Sequence, residues 1–220
     1  MMDSSRVNNR WPIAKEGVPF ILIGVLLTIL LSVLGILFLT ILSGCLTLFT
    51  IYFFRDPDRA CACAPNAILT PADGRVIKVE KVDAKDAPLG EPAVLISVFM
   101  SLFNVHVNRI PIGGTVQEIH YYPGKFFSAN LDKASEQNER NSVILQTVNN
   151  TRIVVTQIAG LIARRIVCWA RQGDPVQTGQ RFGLIRFGSR LDVFLPQDSR
   201  VVVRKGQRVK AGQTIIGYIS

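Results

Sequence analysis

Hydrophobic residues are distributed unevenly along this chain, and the unevenness divides it into two parts. The run from Val18 to Phe54 contains no charged side chain and consists mostly of Leu, Ile, Val and Phe. About 20 apolar residues cross a bilayer as a helix, so the run is long for one untilted span and slightly short for two. Gly35 is the expected break. The pattern predicts a membrane anchor: a short helical hairpin, one long tilted helix or a re-entrant pair.

Basic residues flank this run on both sides. Arg6, Arg10 and Lys15 precede it, and Arg55 and Arg59 follow it. Positive charge concentrates on the cytoplasmic side of membrane segments, so this arrangement favours a hairpin with both ends in the cytoplasm. A cleaved signal peptide is not expected, because the apolar run is too long and no small-residue cleavage site follows it.

After Arg55 the pattern changes to short β-branched runs separated by Gly, Pro, Asn and Asp, which is typical of a mainly β domain. We therefore predict a cytoplasmic segment over residues 1–17, an anchor over 18–54 and a β-domain over 55–220. Asn130–Asn141 is polar and is expected to be an exposed loop or helical turn. The predicted strands are Arg75–Val82, Ala93–Phe99, Gly114–Tyr121, Ser142–Thr147, Thr151–Ile158, Arg165–Ala170, Arg181–Ile185, Asp192–Leu195, Ser199–Val203 and Thr214–Tyr218.

One internal repeat occurs in the β-domain. Arg171–Gln180 aligns with Arg204–Gln213, and each copy has a Gly, a Val three residues later and Gly-Gln three residues beyond that. Glycines at these positions supply the positive φ angles of tight turns between strands. The pattern resembles the turns of lipoyl- and biotinyl-carrier domains. It predicts a flattened β-sandwich with internal pseudo-symmetry, of which one half is a carrier-like barrel-sandwich hybrid.

The formal charge of +9 bears on the partners of the domain. A basic surface next to a bilayer is attracted to anionic lipid. The basic residues are scattered along strands without a nucleic-acid-binding motif, so nucleic acid is not the expected partner. Four cysteines and two histidines offer too few well-spaced ligands for a zinc site, so no metal is predicted and the cysteines are expected to be reduced.

The dipeptide Gly188-Ser189 can carry chemistry on its own backbone. A serine hydroxyl can attack the carbonyl of the preceding residue, and glycine leaves that approach open because it lacks Cβ and tolerates strained φ and ψ angles. Elimination and hydrolysis of the resulting ester leave a pyruvoyl group on a new N-terminus. Most Gly-Ser pairs are only turns, so this reading depends on the rest of the chain.

A serine nucleophile at neutral pH needs a base, which is usually a histidine. The chain has only two candidates, His106 and His120. His106 lies between valines with Asn108 and Arg109 close by and is the better candidate. We interpret His120, which is flanked by Ile and Tyr, as structural.

Six motifs occur in a characteristic order along the chain. They are Phe53-Phe-Arg-Asp-Pro, Thr70-Pro-Ala-Asp-Gly-Arg, His106-Val-Asn-Arg, Tyr122-Pro-Gly-Lys, Asn138-Glu-Arg-Asn and Phe187-Gly-Ser-Arg. Together they resemble the short bacterial form of phosphatidylserine decarboxylase, a pyruvoyl-dependent membrane enzyme. The resemblance covers the chain from the anchor to the C-terminus.

The resemblance implies a cytoplasmic-side enzyme of the bacterial inner membrane that converts phosphatidylserine to phosphatidylethanolamine through a Schiff base. Its self-processing triad would fall on Asp73, His106 and Ser189. Cleavage between Gly188 and Ser189 would give two chains that stay together as a heterodimer, with further oligomerisation left open. The covalent pyruvoyl group derived from Ser189 would be the only cofactor.

Two further residues are candidates for substrate contacts. Arg190 places a cation next to the future pyruvoyl group, where it can attract the phosphate or carboxylate of the substrate. Lys125 is either an exposed turn residue or a contact for the lipid headgroup. The alternatives to this enzyme are a non-enzymatic carrier or membrane adaptor with the same β architecture, or a pyruvoyl decarboxylase acting on a soluble amino acid.

Overall fold

The structure is a computed structural model that describes residues 11–60, 63–125, 137–160, 165–186 and 188–219. The described chain forms two compact units, residues 11–58 and residues 59–219. Most of the polar segment Asn130–Asn141 and Phe187 of the last motif lie outside the described residues.

Two apolar helices, α1 (Val18–Val33) and α2 (Leu37–Phe53), make up most of the first unit. Gly35 lies between them with a φ of 74°, which confirms the break predicted there. The helices pack against each other, and the hydroxyl oxygens of Thr28 and Ser43 lie 2.9 Å apart. Of the described residues, one helical stretch, Lys15–Val33, is long and apolar enough to cross a membrane, with a mean hydropathy of 2.2.

The second unit is mainly β, as predicted. Its strands are β1 (Ala67–Leu69), β2 (Gly74–Val82), β3 (Ala93–Met100), β4 (Val107–Arg109), β5 (Gly114–Tyr122), β6 (Arg140–Gln146), β7 (Arg152–Ala159), β8 (Ile166–Cys168), β9 (Pro175–Val176), β10 (Arg181–Ile185), β11 (Ser189–Pro196), β12 (Arg200–Val201), β13 (Arg208–Val209) and β14 (Ile215–Tyr218). The sequence pattern missed β1, β4, β9 and β13. Each has only two or three residues, too few for an alternation of polar and apolar positions to be visible.

Three antiparallel sheets form among the described strands. The largest has eight strands in the order β13-β2-β3-β11-β7-β6-β5-β9, and the two smaller sheets have the orders β4-β10-β8 and β1-β14-β12. The large sheet curls until the turns that follow its two edge strands meet. A Cβ built on Gly212, after β13, would lie 3.6 Å from the Cα of Gly179, after β9.

The curled sheet brings the two copies of the sequence repeat into equivalent positions. The Asp73 end comprises residues 69–76 and 204–213, and the Gly113 end comprises residues 109–116 and 171–180. The two ends exchange backbone hydrogen bonds: the amide of Leu69 donates to the carbonyl of Pro111, and the amide of Arg109 donates to the carbonyl of Pro71, both at 2.9 Å. The sequence repeat therefore corresponds to a pseudo-symmetric pair of structures.

Strand β11 runs through the middle of the large sheet and separates two environments. Leu191, Val193 and Leu195 point into the hydrophobic core. Arg190 and Asp192 lie at the intervening positions, whose side chains point to the opposite face of the sheet. Ser189 shares the face of the leucines, so the predicted nucleophile lies on the core side.

Candidate active site

Ser189 is the first residue of β11 and lies directly between Met100 of β3 and Ala159 of β7. It is fully buried, and its hydroxyl oxygen has no hydrogen-bond partner among the described residues. Leaving a buried hydroxyl without a partner costs roughly 1–3 kcal/mol. Such a group in a folded protein calls for an explanation, and a reactive nucleophile supplies one.

Gly188 adopts a backbone conformation that glycine tolerates and most other residues avoid. Its φ is 65°, in the left-handed region. No atom lies within 4 Å of the place where a Cβ would be, so the backbone angle and not the available space favours glycine here. The carbonyl that Ser189 would attack is therefore held in a sharp turn immediately before a central strand.

The imidazole of His106 is fully buried just before β4. Its Nδ1 lies 2.9 Å from the carbonyl oxygen of Asn104. A carbonyl can only accept a hydrogen bond, so Nδ1 carries the hydrogen and Nε2 is the basic nitrogen of the neutral ring. The tautomer that a general base needs is thus selected by a backbone carbonyl.

Asp73 is buried and has two sets of partners. Its carboxylate forms an ion pair with Arg59, with Nη2 donating to Oδ2 at 2.9 Å. The backbone amide of Ala211 donates to Oδ1 at 2.8 Å. Arg59 also donates to the carbonyl oxygen of Ala211 at 2.8 Å. Arg59, Asp73 and Ala211 are therefore linked to one another by hydrogen bonds on every side. The role of Asp73 in orienting His106 stays a prediction.

Arg59 and Asn104 are site residues that the sequence analysis missed. Arg59 follows the apolar run, and from the sequence alone this position indicates only a basic residue that flanks a membrane segment. Its side chain is instead almost buried against Asp73. Asn104 contributes a backbone carbonyl, for which no side-chain signal exists in a sequence.

A network of buried amides lies on the Ser189 face of the sheet. Asn141 donates to Gln157 at 3.1 Å, and Gln157 donates to Asn108 at 2.8 Å. Asn108 in turn contacts the sulfur of Met100, the neighbour of Ser189 on β3. Neutral amide donors near a reacting carbonyl are the groups that stabilise a developing oxyanion.

Two members of this network could have been found from the motifs. Asn108 belongs to His106-Val-Asn-Arg, and Asn141 ends Asn138-Glu-Arg-Asn. Asn138 of the same motif donates to the carbonyl of Ala159 at 2.7 Å. The motif therefore fixes the end of β7 next to Ser189.

Arg190 is fully buried on the opposite face of the sheet from Ser189. Its Nε donates to Asp192 at 2.6 Å, and its Nη2 donates to Asp192 at 2.8 Å and to the hydroxyl of Ser97 at 2.9 Å. Burial raises the pKa of the Asp192 carboxyl, and the charge of Arg190 opposes that rise. The cation is thus matched by a carboxylate, and the expected contact with the substrate stays a prediction.

The remaining candidates lie at the surface. Lys125 is exposed, and its backbone pairs with that of Asn138. His120 is also exposed, and its Nε2 lies 2.7 Å from a carboxylate oxygen of Glu118. The burial of His106 and the exposure of His120 favour His106 as the base of a buried serine.

Cysteines and metal ligands add no second site within the described residues. Cys45, Cys63 and Cys168 are free thiols there. Burial raises the pKa of the Cys168 thiol, which disfavours the reactive thiolate. The described part of the chain contains no group of three His, Cys, Asp or Glu side chains that could hold a metal ion.

Comparisons with known proteins identify the family of this chain. The family model for phosphatidylserine decarboxylase matches residues 46–217. The phosphatidylserine decarboxylase proenzyme of Syntrophus aciditrophicus is 50% identical over 207 residues, covering 93% of this chain and 96% of that protein. The proenzymes of Desulfotalea psychrophila and Geobacter metallireducens are 49% identical over 208 residues (94% of this chain, 97% of that protein) and 48% identical over 217 residues (96% and 99%). The chain therefore belongs to the phosphatidylserine decarboxylase family and is a decarboxylase proenzyme.

Proposed function

We propose that this proenzyme cleaves itself between Gly188 and Ser189 and then decarboxylates phosphatidylserine to phosphatidylethanolamine. The observation that carries the proposal is the buried Ser189 hydroxyl without a partner, next to a glycine at a φ of 65°. The word proenzyme in the names of the relatives supports a maturation step.

In the cleavage step, the Ser189 hydroxyl oxygen attacks the carbonyl carbon of Gly188, and the bond from that carbon to the Ser189 nitrogen breaks. His106 Nε2 takes the hydroxyl proton and returns it to the released nitrogen. In the elimination that follows, a base removes the Cα proton of residue 189, the Cβ–O bond of the ester breaks and a Cα=Cβ double bond forms, which frees the carboxylate of Gly188. Water hydrolyses the remaining enamine, releases ammonia and leaves the pyruvoyl group.

The residues present fit this group. The buried position of residue 189 excludes bulk water, and the amide network of Asn108, Gln157 and Asn141 lies on the same face. When formed, the pyruvoyl carbonyl supplies an electron sink for the electrons left behind by carbon dioxide. His106 is buried with Nε2 as its basic nitrogen, and once Nε2 has taken up a proton the ring can protonate the α-carbon of the product.

The proposal also covers the membrane anchor, the location of the β-domain, the two chains of the mature enzyme and the type of β-sandwich. We propose that the two apolar helices anchor the protein in the bacterial inner membrane as a hairpin, with the β-domain on the cytoplasmic side. The mature enzyme consists of residues 1–188 and 189–220 held together by β11, which is central to the large sheet. The pseudo-symmetry of the two ends supports the carrier-like sandwich.

The test replaces one serine and uses another as its matched control. Ser189→Ala should abolish both cleavage and activity, because no hydroxyl remains to attack. Ser199 is also buried with a hydroxyl that has no partner in the described chain, so Ser199→Ala removes the same kind of group elsewhere. Intact mass under denaturing conditions should show two chains for the wild type and for Ser199→Ala, and one for Ser189→Ala. A single 220-residue polypeptide in active wild-type protein would overturn the proposal.

Membrane anchoring has a separate test. A protein that begins at Arg55 keeps Arg59 and every residue of the site. It should cleave itself and act on dispersed short-chain phosphatidylserine, but act less on phosphatidylserine in vesicles. Its remaining attraction to vesicles should weaken with salt, because it would be electrostatic. Equal, salt-insensitive activity of both proteins on vesicles would contradict the anchoring role.

A further inference from the structure

Cationic side chains lie opposite each other at one edge of the large sheet. In the register of β13 and β2, Arg208 lies directly across from Arg75. Side chains at directly opposed positions share one face with their Cβ atoms about 5 Å apart, and like charges there are destabilising. Folding alone would therefore not favour two arginines at this pair of positions.

Neither arginine has an acidic partner among the residues that the structure describes. Arg75 and Arg208 are exposed, as is Lys210 two residues further on. None of the three takes part in an ion pair among the residues that the structure describes. This group of Arg75, Arg208 and Lys210 is hereafter the cationic triplet.

The cationic triplet lines a cavity of about 830 Å³ that also contains Asp73. The Asp73 carboxylate does not neutralise the triplet, because Arg59 and the Ala211 amide already bind it. The cavity is therefore a positively charged space with three cations that have no acidic partner in the described chain.

The same cavity reaches the loop that holds the candidate base. Its lining includes Asn104, whose carbonyl fixes His106, and Phe103, which is 66% exposed. An anion bound by the triplet would thus lie in the same cavity as the loop of the proposed proton donor. An exposed phenylalanine there is suited to contact apolar parts of a ligand.

The pseudo-symmetry supplies an internal comparison. The Gly113 end has an equivalent cavity of about 1000 Å³, lined by Gly113, Thr115 and Gln177 at the positions of Asp73, Arg75 and Lys210. Pro175 takes the position of Arg208 opposite Thr115. This cavity has the same backbone frame without the charges, so the fold does not require the cations.

We propose that the cationic triplet binds the phosphate of the phosphatidylserine molecule that is decarboxylated. The inference rests on the proposed function and adds the residues that hold the glycerophosphate. Guanidinium groups donate paired hydrogen bonds to phosphate oxygens, and two opposed arginines present two such forks. Bound phosphate would also remove the repulsion between Arg75 and Arg208.

The test removes two of the charges in the full-length protein. Arg75→Gln/Arg208→Gln is compared with Arg204→Gln/Lys205→Gln, which removes two exposed charges from the turn before β13, outside the cavity. We measure self-cleavage by intact mass, and kcat and KM on short-chain phosphatidylserine in nonionic detergent micelles. The cavity variant should cleave and show a KM raised about tenfold or more, as expected for lost charge-assisted hydrogen bonds. The turn variant should keep the wild-type KM.

Thermal unfolding provides a second readout. The cavity variant should be at least as stable as the wild type, because the like-charge pair is gone. Loss of stability together with an unchanged KM would show a structural role and overturn the proposal. An unchanged KM in micelles with equal losses of vesicle binding in both double variants would also overturn it, in favour of general attraction to anionic lipid.

A binding measurement covers the case in which the cavity variant fails to cleave. Soluble dihexanoyl phosphatidylserine is titrated into the Ser189→Ala protein with and without the two cavity substitutions, because both of these proteins stay uncleaved and can be compared directly. Affinity reduced about tenfold or more supports the proposal, and equal affinity overturns it. Wild-type protein that cleaves but does not decarboxylate phosphatidylserine would instead contradict the proposed function.

Discussion

The Asp73 end and the Gly113 end of the β-domain have the same backbone arrangement but different side chains. The amide of Gly206 donates to the carbonyl of Val76 at 2.7 Å, and the amide of Gly173 donates to that of Val116 at 2.8 Å. The strand pairing is irregular just after Val76 at one end and just after Val116 at the other. The frame of each end is thus built by the same local interactions.

At one pair of equivalent positions, the hydrogen-bond donor and acceptor are exchanged between the two ends. At the Asp73 end, the amide of Ala211 donates to the carboxylate of Asp73 at 2.8 Å. At the Gly113 end, the equivalent bond runs the other way, from the amide of Gly113 to the hydroxyl of Thr178 at 2.8 Å. One end therefore holds a buried charge, and the other holds a neutral turn.

This difference shows how charged side chains can be added to one copy of a repeated backbone arrangement. Backbone hydrogen bonds and glycine turns keep both ends folded, so the side chains at one end are free to carry chemistry. Asp73 and the cationic triplet belong to the Asp73 end, and Arg59 binds Asp73 from a preceding segment of the chain. Substitutions at matched positions of the two ends can show which residues are needed for folding and which are needed for self-cleavage.

The largest expected effect is on maturation. Asp73→Asn keeps the size of the side chain and an acceptor for the Ala211 amide, but leaves buried Arg59 without its counter-charge. We expect self-cleavage to slow by roughly a hundredfold or more, as when the acid of a catalytic triad is neutralised. Time courses of intact mass measure this rate. The matched control, Gly113→Asp, places a carboxylate at the other end and should cleave normally; wild-type kinetics for Asp73→Asn would show that the acid has no role in maturation.

A second pair of substitutions should lower stability at both ends. A Cβ on Gly74 would lie 2.0 Å from the carbonyl oxygen of Phe99, and a Cβ on Gly114 would lie 2.0 Å from that of Gln146. Gly74→Ala and Gly114→Ala should each lower stability by about 1–3 kcal/mol, because the strands must move apart. Thermal unfolding in detergent measures the loss.

Only Gly74→Ala should also slow cleavage, because Gly74 adjoins Asp73. If Gly114→Ala slows cleavage to the same extent, the two ends are coupled through the sheet and the Asp73 end is not a separate site.

The smallest expected effect concerns the neutral contact at the Gly113 end. Thr178→Ala removes the acceptor of the Gly113 amide, and water can replace it at this exposed position. Stability should fall by less than about 1 kcal/mol, with cleavage unchanged. Thr178→Ser keeps the hydroxyl and should match the wild type in thermal unfolding. A cleavage defect in Thr178→Ala would mean that the neutral end takes part in the chemistry.

Much of this protein could be predicted from its sequence because the relevant signals are local. An apolar run with a glycine break predicts helices, alternating polarity predicts the longer strands, and the Gly-x-x-Val-x-x-Gly repeat predicts the paired turns. The proposed cleavage site, Gly188-Ser189, could be predicted because the proposed chemistry needs two adjacent residues, with the other motifs of the chain in support. Backbone preference and side-chain periodicity act over a few residues, so a sequence records them directly.

The partners of the site residues depend on contacts between segments that are distant in the chain. Arg59 reaches Asp73 and Ala211 only after β13 joins the edge of the large sheet, and Arg208 faces Arg75 only in the register that this strand adopts. The side chain of Arg190 turns away from its neighbour Ser189 because β11 is an extended strand with a core on one face. The sequence by itself determined the two apolar helices, the longer strands and the candidate dipeptide Gly188-Ser189. Strand register, which is set by the packing of the whole sheet, decided which charges meet and which remain available for a ligand.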